Sequence, residues 1–490
     1  MAPGNVTAFC KMPHKQPSSL FKICVQNSLQ LINEFCYFIE KNYPVTEVYD
    51  CQRHVYDLKQ YLMSTLPSGL FDVLCMSRSC CPYGGDPRVQ LRVLTHPQMS
   101  VFRKIDVDNC IPKVFWIHMF PMLNRLVVLD LKFICTDEIL ETIAKSCPLL
   151  EELNIVSKVE IRKSLINASV IVRNVSDVGL SYLTTLKRLR ILSMDPPRNE
   201  KSNRVVRGVS QTGIIMLIRE LPYLEELRIE SCDIGSTLIG SQVDIGPLNL
   251  RKVNCHYISA ESIQKLVKIC PNLKELAITH LSTHDKDDVL EAISASNLQL
   301  SRLDMLFFSY SPSLDRLLKV QGQYLTHFSL WEIDDCMTIE TIINLGVSCP
   351  NITNICLLTQ SSSLYIPHLY KKPNIFNKLQ TLTVGSDNFN LEKVLTFFLE
   401  AAQNLQKLTV KYQSKTQFDE TLKLILSKGY LRNIKSLWLD CTLEVSKEVV
   451  KQIIQSCCNL TDLTVDFNED MKDVHEYISN NNLDLKLGGY

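Results

Sequence analysis

One short pattern, L-x-x-L-x-L, recurs along this chain about every 26 residues and restricts the fold more than any other feature. Clear copies are "CPLLEELNI" at 147–155, "LPYLEELRI" at 221–229 and "CCNLTDLTV" at 457–465. The central apolar residue of each copy can be followed at Ile105, Leu129, Leu153, Leu192, Leu227, Val253, Leu276, Leu303, Phe328, Ile355, Leu382, Leu408, Leu437 and Leu463. So many spaced copies predict one array of about 14 repeats, with long insertions near 156–185 and 195–212 whose role the sequence does not assign.

Each copy predicts a short strand, and the residues after it predict a helix that leads to the next strand. In "ISAESIQKLVKICPNLKELAI" we expect Ser259 to cap the helix and Pro271 to end it. Thr338 and Ser446 start two further copies in the same way. Because one strand and one helix cannot bury their apolar faces alone, the units must stack. The sequence predicts an α/β solenoid over 101–487, curved, with a parallel sheet on its concave face and helices on its convex face.

A cysteine ends the helix of several copies, immediately before the strand. These residues are Cys147, Cys270, Cys349 and Cys457. The arrangement resembles the cysteine-containing subtype of leucine-rich repeat. The resemblance implies that these thiols are small buried residues, so we expect no metal or redox role for them. No cofactor is expected.

The composition argues against several classes of function. Lys+Arg and Asp+Glu number 52 each, so the formal net charge is zero, and we expect neither a nucleic-acid partner nor a membrane partner. The N-terminus has no apolar signal segment, and most of the 19 cysteines lie in apolar periodic segments, which is typical of reduced thiols in the cytosol or nucleus. No P-loop, dinucleotide fingerprint or G-x-S-x-G motif is present. We therefore expect a protein that is not an enzyme.

The first hundred residues lack the repeat and have a helical pattern instead. Residues 1–17 are expected to be disordered, and 18–85 to form a helical module. Its predicted helices run over about 18–41, over about 51–63 and onward from Pro67. The first helix has two adjacent apolar faces, which is more than one neighbouring helix would cover.

Two motifs in this module carry a second resemblance. "SLFKIC" at 19–24 resembles the BC-box of elongin-binding ubiquitin-ligase receptors, with Ser28 where the family pattern has an apolar residue. "LPSGLFDVL" at 66–74 resembles the cullin-2 box. The resemblance implies that the adaptor-binding residues are Leu20, Cys24, Leu31, Leu66, Pro67, Leu70 and Leu74.

Two such boxes followed by leucine-rich repeats are similar to the substrate receptors of cullin-RING ligases, notably the ZYG-11 and PRAME-like groups. This resemblance implies elongin B, elongin C and cullin-2 as partners, with a protein substrate on the repeat surface. Two alternatives stay open. "LPSGLFDVL" also begins like a degenerate F-box, which would bind Skp1 and cullin-1. The helices could instead only cap the solenoid of an interaction scaffold that has no link to ubiquitin.

The side chains between the apolar positions of each strand are expected on the concave surface, because strand residues alternate between two faces. Arginine and tryptophan often dominate the binding energy of protein interfaces. The substrate-binding residues predicted on this basis are Arg228, Arg302, Trp331, Lys411 and Trp438.

Overall fold

The computed structural model describes residues 20–42, 50–77, 86–103, 111–132, 134–156, 160–163, 169–172, 174–195, 205–229, 234–240, 246–256, 258–279, 285–333, 338–359, 375–386, 391–412, 418–441, 445–465, 471–481 and 483–488. They fall into two compact units. The N-terminal unit comprises Ser18–Val253 and Ile269–Asn272, and the C-terminal unit takes in Asn254–Lys268 and Leu273–Tyr490. The segment 1–17, which the sequence predicts to be disordered, lies outside the described residues.

Four helices precede the first strand of the N-terminal unit. They are α1 (Leu20–Asn42), α2 (Asp50–Thr65), α3 (Ser68–Ser77) and α4 (Pro87–Leu94). The first three confirm the helices expected from the sequence. The fourth was not predicted, although Asp86 caps it by accepting a hydrogen bond from the Arg88 amide at 2.8 Å, and Pro87 occupies its first position.

Strands and helices then alternate through the rest of the N-terminal unit. The elements are β1 (Val101–Arg103), α5 (Lys113–Met119), β2 (Val128–Asp130), α6 (Asp137–Ser146), β3 (Glu152–Asn154), β4 (Glu160–Lys163), β5 (Ser169–Val172), α7 (Asp177–Leu183), β6 (Ile191–Met194), β7 (Val205–Arg207), α8 (Gln211–Glu220), β8 (Glu226–Ile229), α9 (Ile234–Gly240) and β9 (Lys252–His256). Parallel pairing runs in the order β1-β2-β3-β6-β8 and continues to the first residue of β9.

The C-terminal unit repeats the same alternation with fewer interruptions. Its elements are α10 (Ala260–Ile269), β10 (Glu275–Thr279), α11 (Lys286–Ser294), β11 (Arg302–Leu306), α12 (Pro312–Gln321), β12 (His327–Ile333), α13 (Ile339–Ser348), β13 (Asn354–Thr359), β14 (Thr381–Ser386), α14 (Leu391–Ala401), β15 (Lys407–Tyr412), α15 (Phe418–Ser427), β16 (Ser436–Cys441), α16 (Lys447–Ser456), β17 (Asp462–Val465), α17 (Lys472–Asn480) and β18 (Lys486–Gly488). Strands β10 to β18 pair in chain order, all in parallel. With fifteen parallel strands among the described residues, the predicted α/β leucine-rich-repeat solenoid is confirmed.

The register of the strands matches the repeat pattern with one correction. Leu276 pairs with Leu303, and Leu303 with Phe328, each at most 1% exposed. The first described copy, however, is centred on Phe102, which pairs with Leu129, and not on the predicted Ile105, which lies outside the described residues. Phe102 lies three residues before Ile105, so both satisfy the L-x-x-L spacing, and pairing with β2 selects the earlier one. Strand β18 adds a fifteenth strand to the large parallel sheet, one more than the 14 predicted copies.

The predicted helix caps are present. The Ser259 hydroxyl accepts from the Ser262 amide at 3.2 Å, and the Ser446 hydroxyl accepts from the Val449 amide at 3.4 Å. Thr338 forms a reciprocal capping box with Thr341. Each cap satisfies amide groups that the first helical turn leaves without partners, which fixes where the helix begins.

The two long insertions together form a second, three-stranded sheet. β4 pairs antiparallel with β5, and β5 pairs in parallel with β7. β4 and β5 come from the first insertion and β7 comes from the second. The insertions therefore combine into one added element, which the repeat pattern alone could not predict.

Candidate protein-binding surfaces

Helix α1 has one apolar face buried in the N-terminal unit. Val25, Leu29, Ile32, Cys36 and Ile39 are each at most 7% exposed. They belong to one core cluster together with residues of α2, α3 and α4. This face accounts for the packing of α1 within its own unit.

A second apolar face of α1 lies exposed, and we call it the α1 stripe. Phe21, Leu31, Phe35 and Phe38 are 55–60% exposed, and Cys24 is exposed among them. Their spacing of three, four or seven residues places them on one side of the helix. Contiguous exposed apolar surface of this kind is typical of protein interaction sites.

Polar contacts hold α1 in place behind the stripe. The buried Asn33 amide oxygen accepts a hydrogen bond from Gln90 of α4. Near the end of α1, Glu40 accepts from the Asp86 amide at 2.7 Å, and burial raises the pKa of the Glu40 carboxyl. Both contacts join α1 to α4 or its cap, so the stripe is presented by a helix fixed on its other side.

The residues of the predicted boxes occupy different environments. Cys24 and Leu31 are exposed, and Ser28, which departs from the family pattern, is half-buried. The side chain of Leu20, in the first turn of α1, lies outside the described residues. Of the predicted adaptor-binding set, Cys24 and Leu31 therefore belong to the α1 stripe, and the sequence prediction did not include Phe21, Phe35 and Phe38. Phe21 lies three residues before Cys24, and Phe35 and Phe38 lie four and seven residues after Leu31; this helical spacing is the signal that could have added them.

The cullin-2-box residues lie at the start of α3 and along it. Pro67 is exposed, and Leu66 and Leu70 are half-buried against the core cluster. Leu74 is 0% exposed. Leu74, which the resemblance gives as an adaptor-binding residue, is therefore buried in the core of the helical layer, because the second turn of α3 directs it toward the core cluster.

The cysteines at the helix-strand corners are buried. Cys147, Cys270, Cys349 and Cys457 are at most 1% exposed, and burial raises the pKa of each thiol to about 12. The Cys147 thiol donates to the Leu123 carbonyl at 3.5 Å. No group of three or more metal-ligating side chains occurs among the described residues.

Cysteine labelling provides a direct check of these environments. N-ethylmaleimide is expected to modify Cys24 in the native chain and to leave the four corner cysteines unmodified until denaturant is added. The thiolate is the reacting form, and a pKa of about 12 leaves on the order of one thiol in 100,000 ionised at pH 7. Peptide mass spectrometry reads each site. Native labelling of a corner cysteine as fast as Cys24 would contradict the buried placement.

The repeat strands present an open face on the side away from their buried residues. Along β10 and β11, buried residues alternate with half-buried ones, as expected. Arg228 lies on this face of the N-terminal unit, in ion pairs with Glu226 at 2.9 Å and Glu152 at 3.5 Å. Burial alone would raise the pKa of Glu226, but its hydrogen bonds with Arg228 and Lys252 hold that pKa below its usual value. The Arg228 charge is thus compensated within the sheet.

The other predicted substrate contacts lie on the open face of the C-terminal unit. Arg302 donates from Nε to Asp304 at 2.6 Å, and the second Asp304 oxygen is buried without a hydrogen bond in the described part of the chain. Trp331 is 42% exposed and Trp438 is 37% exposed. Lys411 lies 3.7 Å from Asp440. All four are accessible positions of the kind the sequence predicted.

The two tryptophans stand in different rows of the sheet. Trp331 pairs in register with Leu358, which pairs with Gly385, which pairs with Lys411. A Cβ at Gly385 would lie 2.6 Å from Leu358 Cδ2 and 2.9 Å from Lys411 Cβ. The row therefore consists of an aromatic residue, an aliphatic residue, a glycine and a cation, and the side chains of Leu358 and Lys411 fill the space over Gly385. Trp438 belongs to the neighbouring row, opposite Thr409.

No helix in the described part of the chain combines the length and apolarity needed to cross a bilayer. The longest, α1, has 23 residues, and charged and polar residues occupy the side of the helix outside its two adjacent apolar faces.

Comparisons with known proteins add little beyond the fold. No protein-family model and no curated protein matches the chain. Among solved structures, the crystal structure of the Rad7 and Elc1 complex in yeast is similar over 92% of this chain and 94% of that chain, at 13% identity and a TM-score of 0.38. The TLR13–ssRNA13 complex is similar over 75% of this chain and 54% of that chain, at 15% identity and a TM-score of 0.29. Neither likeness is close enough to assign a function or a partner, and it is the strand register and parallel sheet of the chain itself that identify a leucine-rich-repeat protein.

Proposed function

We propose that this chain is a non-catalytic substrate-recognition subunit of a cullin-RING ubiquitin ligase, acting in the cytosol or nucleus. In this proposal α1 binds elongin B and elongin C, the start of α3 binds cullin-2, and the open face of the sheet holds a protein substrate. The observation that carries it is the α1 stripe, in which the cysteine of the BC-box-like motif lies exposed in a row of large apolar side chains.

The α1 stripe exposes more apolar surface than a helix that only capped the repeats would need. The buried face of α1 already closes the core cluster, so helices that only covered the end of the repeats would carry polar residues at Leu31, Phe35 and Phe38. An amphipathic helix that inserts apolar side chains into a groove is a common mode of protein recognition. Cys24 and Leu31 lie two turns apart, which allows one partner groove to take both.

The proposed cullin-2 and substrate sites follow from which side chains remain exposed to solvent. At the start of α3, Leu66, Pro67 and Leu70 are partly or fully exposed and leave surface that a second partner can bind. They are neighbours in sequence of the α3 residues that pack in the core beneath α1. On the open face of the C-terminal unit, exposed Trp331 lies in the same row of the sheet as Lys411. This row suits a substrate segment with an apolar side chain next to a carboxylate.

Affinity purification from cells tests the proposal. Wild type is expected to retain elongin B, elongin C and cullin-2, and the Leu20→Ala/Cys24→Ala double variant to lose all three. Leu66→Asp with Pro67→Ala is expected to remove cullin-2 while elongin stays bound, because the two motifs lie on different helices. Val178→Ala is the matched control, since Val178 is 57% exposed on α7 of the same unit.

Other outcomes of this purification separate the alternatives. Recovery of Skp1 and cullin-1 without elongin would show that the adaptor is Skp1 and that "LPSGLFDVL" acts as a degenerate F-box. Recovery of neither adaptor by the folded wild type would contradict the ligase proposal and leave an interaction scaffold.

A further inference from the structure

A cleft of about 800 Å³ lies in the N-terminal unit and is lined by residues of α2, α4 and α5 with the segments that flank α5. We call it the basic cleft. Val55 and Met119 contribute buried apolar side chains, and Phe115 is 9% exposed. The cations that line it are Arg53, Lys59, Arg88 and Arg92. No aspartate or glutamate is among the described residues that line it, although the whole chain carries equal numbers of both charges.

The cations of the basic cleft differ in whether a nearby carboxylate neutralises their charge. Arg88 is paired with Asp86, 2.5 Å away. Arg92 stacks over the Phe115 ring at 5.6 Å and forms no ion pair with a carboxylate of the described chain. Lys59 is half-buried, and burial lowers the pKa of its ammonium. No described carboxylate contacts it.

A half-buried ammonium without a counter-ion has lost part of its hydration and gains no ion pair in exchange. A carboxylate bound in the cleft would supply the missing partner, and its Coulomb attraction would be strengthened by the apolar floor. The cleft is therefore built for a ligand that is both anionic and apolar.

We propose that the basic cleft binds an acidic segment of a protein partner, with an apolar side chain on its floor and carboxylates on Lys59 and Arg92. The proposal does not depend on the ligase assignment, because the cleft uses neither the α1 stripe nor the open face of the sheet.

The spacing of the cations favours a peptide over a small anion. Arg53 and Lys59 are six residues apart on α2, which separates their Cα atoms by about 9 Å along the helix axis. Arg88 and Arg92 are four residues apart on α4, or about 6 Å. The four cations are thus spread along two helices, and a chain carrying several carboxylates can pair with more of them than a single small anion can.

The floor of the cleft argues against a membrane surface. Lipid headgroups would reach the outer cations but not Val55 and Met119, which are 5% and 2% exposed within the unit. A volume of about 800 Å³ lies within the range of sites that enclose most of a ligand. The cleft thus fits an inserted side chain with flanking charges.

A random heptapeptide library selected on the full-length protein tests the proposal. Selection on wild type is expected to enrich peptides with at least two acidic residues flanking an aromatic or aliphatic residue. A fluorescein-labelled member should bind at least tenfold more weakly to Lys59→Gln/Arg92→Gln. Replacing its acidic residues with glutamine should weaken binding equally, and raising the salt concentration should weaken it further. Arg125→Gln, an exposed arginine of the same unit outside the lining, is the control and should bind as wild type does.

Thermal melting of each variant confirms that it is folded. Met122→Asp tests the apolar lining of the basic cleft separately from its cations, because Met122 is 45% exposed at the cleft. The proposal is overturned if enriched peptides carry no excess of acidic residues or if the double variant binds them as tightly as wild type. It is also overturned if phosphatidylserine vesicles, and not peptides, bind in a manner that depends on Lys59 and Arg92.

Discussion

Leu408→Asp is expected to unfold the repeats around β15. Leu408 is 2% exposed and pairs in register with Leu382 on one side and Leu437 on the other. A carboxylate there would lose its hydration without gaining a partner, at a cost of more than about 4 kcal/mol. Because stacked repeats stabilise only their neighbours, the loss should spread through adjoining repeats. We expect the thermal midpoint of the C-terminal unit to fall by roughly 10 °C or more, measured by circular dichroism.

The adjacent residue provides the matched control. Thr409 occupies the next position of β15, is half-buried on the open face, and pairs with Trp438. Thr409→Asp adds the same charge on the other side of the strand and should shift the midpoint by only a few degrees. Leu276→Asp, at a position 1% exposed in β10, should behave like Leu408→Asp. Wild-type melting of both leucine variants would show that the buried rows are wrongly assigned.

Most of the solenoid could be predicted because its signal is repeated. Each apolar row is specified by a spacing that recurs in copy after copy, so an uncertain strand can be placed from its neighbours. The first strand has a neighbour on one side only, and there the spacing alone allowed both Phe102 and Ile105. Pairing with β2 resolved the choice, and a pairing partner is not visible in a local pattern.

The structures outside the repeats depended on contacts between distant segments. The signal for α4 was present in the Asp86 cap and the proline that follows it, but the sequence prediction included no helix there. The sheet of β4, β5 and β7 joins two insertions that lie on either side of strand β6, and no periodicity relates them. Local pattern therefore predicts the array, and tertiary pairing decides the rest.

The candidate sites were predictable to a smaller extent for a related reason. Spacing placed Cys24 and Leu31 on one helical face, but the resemblance to the cullin-2 box also included Leu74, which the packing of α3 buries. Spacing could not show which of the two apolar faces of α1 the neighbouring helices would cover. The basic cleft draws its cations from two helices that are distant in sequence, so its charge is invisible until the chain is folded.

Leu31→Asp combined with Phe35→Asp is expected to abolish elongin binding while leaving the fold intact. Both side chains are more than half exposed, so their replacement leaves no cavity and should change the free energy of unfolding by less than about 1 kcal/mol. Burying either side chain in a partner groove is worth about 1.5–3 kcal/mol, and a carboxylate there adds a desolvation cost. We therefore expect at least a 100-fold loss of affinity for purified elongin BC, measured by calorimetry.

The neighbouring residue Ile32 separates docking from folding. It is 4% exposed, so Ile32→Asp should lower the melting temperature of the N-terminal unit and lose elongin only as a consequence of unfolding. At the motif cysteine, Cys24→Ser should weaken binding more than Cys24→Ala, because a hydroxyl in an apolar groove is costlier than lost contact area. If the Leu31 and Phe35 double variant melts as wild type does and still binds elongin BC, the α1 stripe does not serve this adaptor. Its exposed apolar side chains would then require a different partner, because a face that covers no core in its own unit contributes nothing to the stability of the free chain.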